Sequence, residues 1–166
     1  FVLHRARHKP LLAPLPSGAF CYNRYMNEEL LARARKIKIV LNDVDGIWTD
    51  GKLSFFLTPD GKVEEMKTFH ALDGIGVMLL RSAGIKSGVI TGRRHGTTLA
   101  RARNMGMNYF YQGFLTKLGP LEDVLRREQI TPQEVAFIGD DLTDLPLLER
   151  VGQQPRLVHR LLQEGR

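Results

Sequence analysis

Residues 36–46 read Lys-Ile-Lys-Ile-Val-Leu-Asn-Asp-Val-Asp-Gly, and the rest of the chain is understood outward from them. The stretch 36–41 alternates and then runs apolar, which predicts a strand with a buried end. Asp43 and Asp45 follow at once, and Gly46 supplies turn chemistry. Before this strand, 27–35 predicts a short helix with Asn27 as cap and acids in its first turn. After it, 53–57 and 63–69 flank Thr58-Pro59-Asp60-Gly61, which predicts a β-hairpin over 53–69. Asp73 is placed to cap a helix to about Ala83, ended by Gly84. A strand over 85–90, a helix from His95 to Met105 stopped by Gly106, a short strand over 109–111 and a helix over 117–129 follow. Thr131-Pro132-Gln133-Glu134 forms a capping box. A strand over 135–138 and a helix over 142–151 complete the pattern. Strands alternating with helices, several of them nearly continuous apolar runs, predict an α/β fold with a doubly wound, mostly parallel sheet.

Such folds bind ligands at the carboxyl ends of their strands. Four strand ends here carry chemistry: Asp43-Val44-Asp45-Gly46, Thr91-Gly92-Arg93, Gln112-Gly113 leading to Lys117, and Gly139-Asp140-Asp141-Leu142-Thr143-Asp144. Clustered aspartate oxygens are hard ligands that suit Mg²⁺. A carboxylate can attack phosphorus, and a second one two residues on can donate and accept protons. A threonine hydroxyl and a lysine can hold phosphoryl oxygens. Singly, each piece has a structural reading. Asp-Gly pairs make turns, Thr91-Gly92 could be a helix entry, and Lys117 could be a solvated helix start. Three acids at one strand-to-helix turn exceed capping needs, and all four pieces in order point to phosphoryl transfer.

Charge and composition narrow the class. The net charge is +6, but residues 28–151 hold equal numbers of basic and acidic groups, so the excess lies in the flanks. That distribution argues against nucleic-acid binding, which concentrates charge on the folded body. The apolar runs fall short of the roughly 20 residues of a membrane helix. The one cysteine, Cys21, allows no internal disulfide and no cysteine-based zinc site. A cytoplasmic protein is expected. Residues 1–26, with Pro10, Pro14 and Pro16, are expected to be a disordered or non-native lead-in, 27–152 the folded domain, and 153–166 an altered or truncated tail.

The series Asp-x-Asp, Thr, Lys and Gly-Asp-Asp-x-x-Asp resembles the haloacid dehalogenase superfamily of phosphatases. The finer text over 43–51, 69–76, 89–94, 111–117 and 138–148 is similar to its phosphatases of 3-deoxy-D-manno-octulosonate 8-phosphate, and the likeness runs over 36–152. The resemblance implies Asp43 as nucleophile and Asp45 as acid and base. It implies Mg²⁺ held by the Asp43 carboxylate, the Asp45 backbone carbonyl and Asp140, with Asp141 and Asp144 supporting. Thr91, Gly92 and Lys117 would bind phosphate, and Arg93 would sit near the sugar. It further implies the hairpin in place of a separate cap domain, a homotetramer, a small acidic sugar-phosphate substrate and a role in lipopolysaccharide precursor synthesis. Three departures stand out. Leu72 occupies a position where the family often has Arg, Asn42 replaces an apolar residue before the nucleophile, and 153–166 shows no further strand. A related nonulosonate 9-phosphate is the alternative substrate, and an impaired remnant or binding module the alternative class. A signalling receiver domain is opposed by the order of the acidic pairs.

Among single residues, His70 reads as a partly buried structural histidine and Trp48 as packing for the hairpin base. Tyr109, Phe110 and Tyr111 read as strand core. Arg93 and Arg94 could meet an anionic substrate or form a solvated helix entry.

Overall fold

A computed structural model of the chain describes residues 28–151. The expectations for 1–26, for 153–166 and for the Asn27 cap lie outside the described residues.

Helix α1 (Glu28–Ala34) belongs to an N-terminal unit that ends at Arg35. Its acids fall in the first turn and Arg33 in the last, as the helix dipole favours, and Arg33 pairs with Glu29 one turn back.

From Lys36 onward a second unit is built on four parallel strands: β1 (Ile39–Asn42), β4 (Lys86–Thr91), β5 (Tyr109–Gln112) and β6 (Val135–Ile138), in the order β5-β4-β1-β6. The first strand is thus central, paired with β4 on one side and β6 on the other. Two further strands, β2 (Ser54–Leu57) and β3 (Val63–Met66), form a separate antiparallel hairpin. The helices are α2 (Ala71–Ser82), α3 (Gly96–Met105), α4 (Leu118–Glu128) and α5 (Leu145–Arg150).

Strand alternation sends successive side chains to opposite faces. Ile39, Leu41 and Ile90 join Leu121, Val124 and Leu125 of α4 and Leu147 and Leu148 of α5 in one core. Val89 joins Val77 of α2, Ala102 and Met105 of α3, and Val44 and Trp48 in the other. The sheet is therefore covered on both faces, which is the doubly wound arrangement the alternation predicts. Tyr109 and Tyr111 pack toward the first core and Phe110 toward the second. Trp48 meets Phe69 edge-on at the exit of the hairpin, with ring centroids 6.3 Å apart.

Four details differ from the sequence expectation. The ladder of β1 begins at Ile39, because its partners Lys86 and Val135 begin there. The second hairpin strand stops at Met66 opposite Ser54, so residues 67–69 leave the ladder. His70, not Asp73, caps α2: its Nδ1 accepts the Leu72 N–H at 3.2 Å, and its ring is exposed rather than partly buried. The last helix is broken into a 3₁₀ turn (Leu142–Asp144) and α5, because Pro146 has no N–H to continue the earlier turn.

Candidate functional site

The four strand ends converge as the topology requires. Asp43 extends β1 by one residue, its N–H donating to Ile138 O at 2.8 Å. The chain then turns sharply, with the N–H groups of Ile47, Trp48 and Thr49 all directed to Val44 O. Gly46 sits at φ +90°, and a Cβ there would lie 1.8 Å from Asp140 Oδ2. Glycine is thus required twice, for the backbone conformation and for the close approach of the two loops. Asn42, unusual in this place, is buried and donates to Gly88 O at 3.4 Å, a long bond that gives its amide a partner.

Lys117, at the entry to α4, is 2% exposed. Its Nζ lies 2.9 Å from Asp43 Oδ2 and 2.5 Å from Asp144 Oδ1, and 5.9 Å from the Phe137 ring centroid. Asp144, fully buried, accepts the Asp141 N–H through its other oxygen at 3.0 Å. Gly139 is squeezed beside it, since a Cβ there would lie 2.4 Å from Asp144 Oδ2. Thr91 ends β4 and is buried, its Oγ1 accepting the Arg93 N–H at 3.3 Å. Gly92 leaves room for Leu115, whose Cδ2 would be 2.9 Å from an added Cβ.

Carboxylate oxygens of Asp43, Asp140 and Asp144 lie within 4.8 Å of one another. Against these three acids stands one ammonium, that of Lys117. Burial pushes the Asp43 carboxyl up despite the opposing pull of Lys117. Burial first, and then the charge of Asp144, push Asp140 up as well. Asp43 Oδ1 is buried with no hydrogen-bond partner among the described residues. A buried, unpartnered carboxylate oxygen beside two further carboxylates suits a hard cation with oxygen ligands. Asp141 is exposed, lies outside this trio and contributes a capping box with Asp144.

Asp45 is half-buried and faces the hairpin. It is ion-paired with Lys67, whose side chain is 4% exposed and also lies 3.8 Å from Glu65. Glu65 in turn pairs with Arg93. The guanidinium expected near a sugar is therefore engaged by the hairpin. His95 Nε2 lies 3.1 Å from Glu65 O, a further tie between the hairpin and the loop before α3. Lys67 and Glu65 escaped the sequence reading. Their one signal is the period-two spacing of opposite charges along a hairpin strand, which equally describes a solvated surface pair.

Comparison with known proteins gives a consistent result. A family model described as haloacid dehalogenase-like hydrolase matches residues 22–152. The chain is 35% identical over 136 residues to the 3-deoxy-D-manno-octulosonate 8-phosphate phosphatase KdsC of Escherichia coli, covering 82% of this chain and 70% of that one. Among solved structures, the phosphatase of the same name from Yersinia pestis aligns with a TM-score of 0.71 at 33% identity, over 84% of this chain and 75% of that one. The Moraxella catarrhalis phosphatase, solved with magnesium, phosphate and KDO, aligns with a TM-score of 0.69 at 34% identity, over 76% and 71% of the respective chains.

Proposed function

The chain belongs to the haloacid dehalogenase-like hydrolases and is a phosphatase, and from that premise we propose that it hydrolyses 3-deoxy-D-manno-octulosonate 8-phosphate in a Mg²⁺-dependent reaction through an aspartyl-phosphate. The observation that carries the reading is Asp43: a buried carboxylate at the end of the central strand, with a lysine on one oxygen and the other without a partner. Asp43 attacks phosphorus, and the bond from phosphorus to the sugar oxygen breaks. Asp45 gives its proton to the departing alkoxide. Asp45 then takes a proton from water, whose oxygen displaces the Asp43 carboxylate and releases phosphate. Lys117 and Thr91, with the backbone at Gly92, hold the phosphoryl oxygens as charge redistributes.

The Asp43 carboxylate, the Asp45 carbonyl and Asp140 would hold Mg²⁺, with Asp144 and Asp141 supporting. The bound ion supplies charge neutralisation and a template for the phosphoryl group. A homotetramer belongs to the same proposal. The hairpin exposes Phe55, Leu57 and Val63 on one face and Phe56 and Met66 on the other, more apolar surface than a solvated hairpin needs. Leu72, which is exposed, favours a second reading within the class, an acidic sugar phosphate of another chain length.

The test is phosphate release from 3-deoxy-D-manno-octulosonate 8-phosphate with Mg²⁺, with Asp43→Asn beside the parent. Release by the parent that is lost in the variant supports the reading. A folded, Mg²⁺-binding parent that releases no phosphate from it contradicts the substrate.

A further inference from the structure

A cleft of about 670 Å³ lies between the exit of β3 and the loop entering α3. That is within the roughly 300–1,000 Å³ of small-molecule sites. Lys67 and Glu65 border it from the hairpin, and Arg94 and His95 from the loop. It adjoins the candidate site, because the Lys67 ammonium that borders it holds the carboxylate of Asp45.

Four cations surround the phosphoryl centre and this cleft. Lys117 is held by Asp43 and Asp144, Lys67 by Asp45, and Arg93 by Glu65. Arg94 has no carboxylate partner among the described residues. Its guanidinium is nevertheless placed: Gly113, at φ +80°, has no Cβ where this group packs, and one there would lie 2.4 Å from Arg94 Nε. Gln112 Nε2 fixes the same loop by donating to His95 O at 2.8 Å. Glu64 also borders the cleft, but it is exposed and no ion pair joins it to Arg94. A guanidinium carries a fork of donors that matches a carboxylate and keeps its charge throughout the working pH range. At position 72, by contrast, the chain offers an exposed leucine, which cannot bind an anion.

We infer that Arg94 recognises the carboxylate of the acidic sugar phosphate and sets specificity for it, while Arg93 is a structural tie to the hairpin. The inference rests on the substrate class proposed above. The experiment compares kcat/KM for 3-deoxy-D-manno-octulosonate 8-phosphate with that for a neutral hexose 6-phosphate, in the parent, Arg94→Ala and Arg94→Lys. The parent is expected to prefer the acidic substrate. Arg94→Ala is expected to reduce that preference roughly 10- to 100-fold, the scale of losing a hydrogen bond to a charged group, through KM more than kcat. Arg94→Lys is expected to restore part of it, since charge returns without the fork. A parent with no preference, or with no activity on either, overturns the substrate class and this inference with it. A parent preference that survives in Arg94→Ala, or a loss shared equally by both substrates, overturns the role of Arg94 and leaves the substrate class standing.

Discussion

At Asp43 two effects oppose each other: burial disfavours its charge, and the Lys117 ammonium favours it. Burial is the larger, so the carboxyl titrates above its ordinary value of 3.8 in the metal-free chain. The consequence for stability has a definite sign. Between 3.8 and the raised value the folded chain holds this proton and the unfolded chain does not, so the group stabilises the fold as pH falls through that window. Glu134 behaves in the opposite way. Lys38 and the Thr131 backbone pull it down to about 2, so its contribution is present above its ordinary value of 4.5 and fades as pH falls toward 2. A carbon-13 NMR titration of the metal-free chain should place the Asp43 carboxyl above the exposed carboxylates, and Asp43→Asn should remove that resonance. An Asp43 carboxyl titrating at or below 3.8 would show that Lys117 outweighs burial.

At the scale of elements, the hairpin is tied to the strand-end loops by side chains rather than by sheet pairing. Lys67 reaches Asp45, and Glu65 reaches Arg93 and, through its carbonyl, His95. Lys67 lies just past the β3 ladder, whose last pair is Ser54 with Met66. Lys67 sits between Asp45 and Glu65, and replacing such a lysine by an apolar side chain of similar length costs little net stability where its main partner, the half-buried Asp45, can turn to water. The worth of Lys67 here is to orient Asp45. Lys67→Met should therefore lower kcat roughly 10- to 100-fold, the scale of misplacing a reacting group, while the melting temperature changes little. Unchanged kcat would show that Asp45 orients itself. The strand-end residues themselves were legible in the sequence, because a parallel sheet places its chemistry where strands stop. The hairpin's contribution was not. Nothing in Val63-Glu64-Glu65-Met66-Lys67 says that one face of this strand meets the loops carrying Asp45 and Arg93, so the sequence leaves Arg93 between a substrate contact and a solvated helix entry, with no sign of its pairing with Glu65. His70 is structural, as expected, but exposed and a cap, a role the sequence assigns to Asp73: a cap is decided by backbone geometry at the helix start, and Asp73 offers the stronger local signal.

On the scale of the whole molecule, the doubly wound sheet and its two cores follow from strands that alternate with helices and are apolar on both faces, and the sequence shows this pattern directly. Surfaces follow less directly. Phe55 and Leu57 are 60% and 71% exposed, on one side of a hairpin whose polar residues would suffice for solvation. Burial of such side chains between subunits would remove that cost. Sedimentation equilibrium should give four times the mass of the chain, and Phe55→Ser with Leu57→Ser should shift it to smaller species. A parent chain that sediments as a monomer would contradict the tetramer without touching the chemistry.

The central claim is that Asp43 carries the phosphoryl group, and rapid acid quench during turnover, followed by peptide mass spectrometry, tests it most directly. With Asp45→Asn to slow the second half-reaction, one phosphoryl group should accumulate on the peptide containing Asp43, and none in Asp43→Asn. Turnover by the parent with no phosphoryl group on that peptide, in the parent or in Asp45→Asn, would contradict the covalent route.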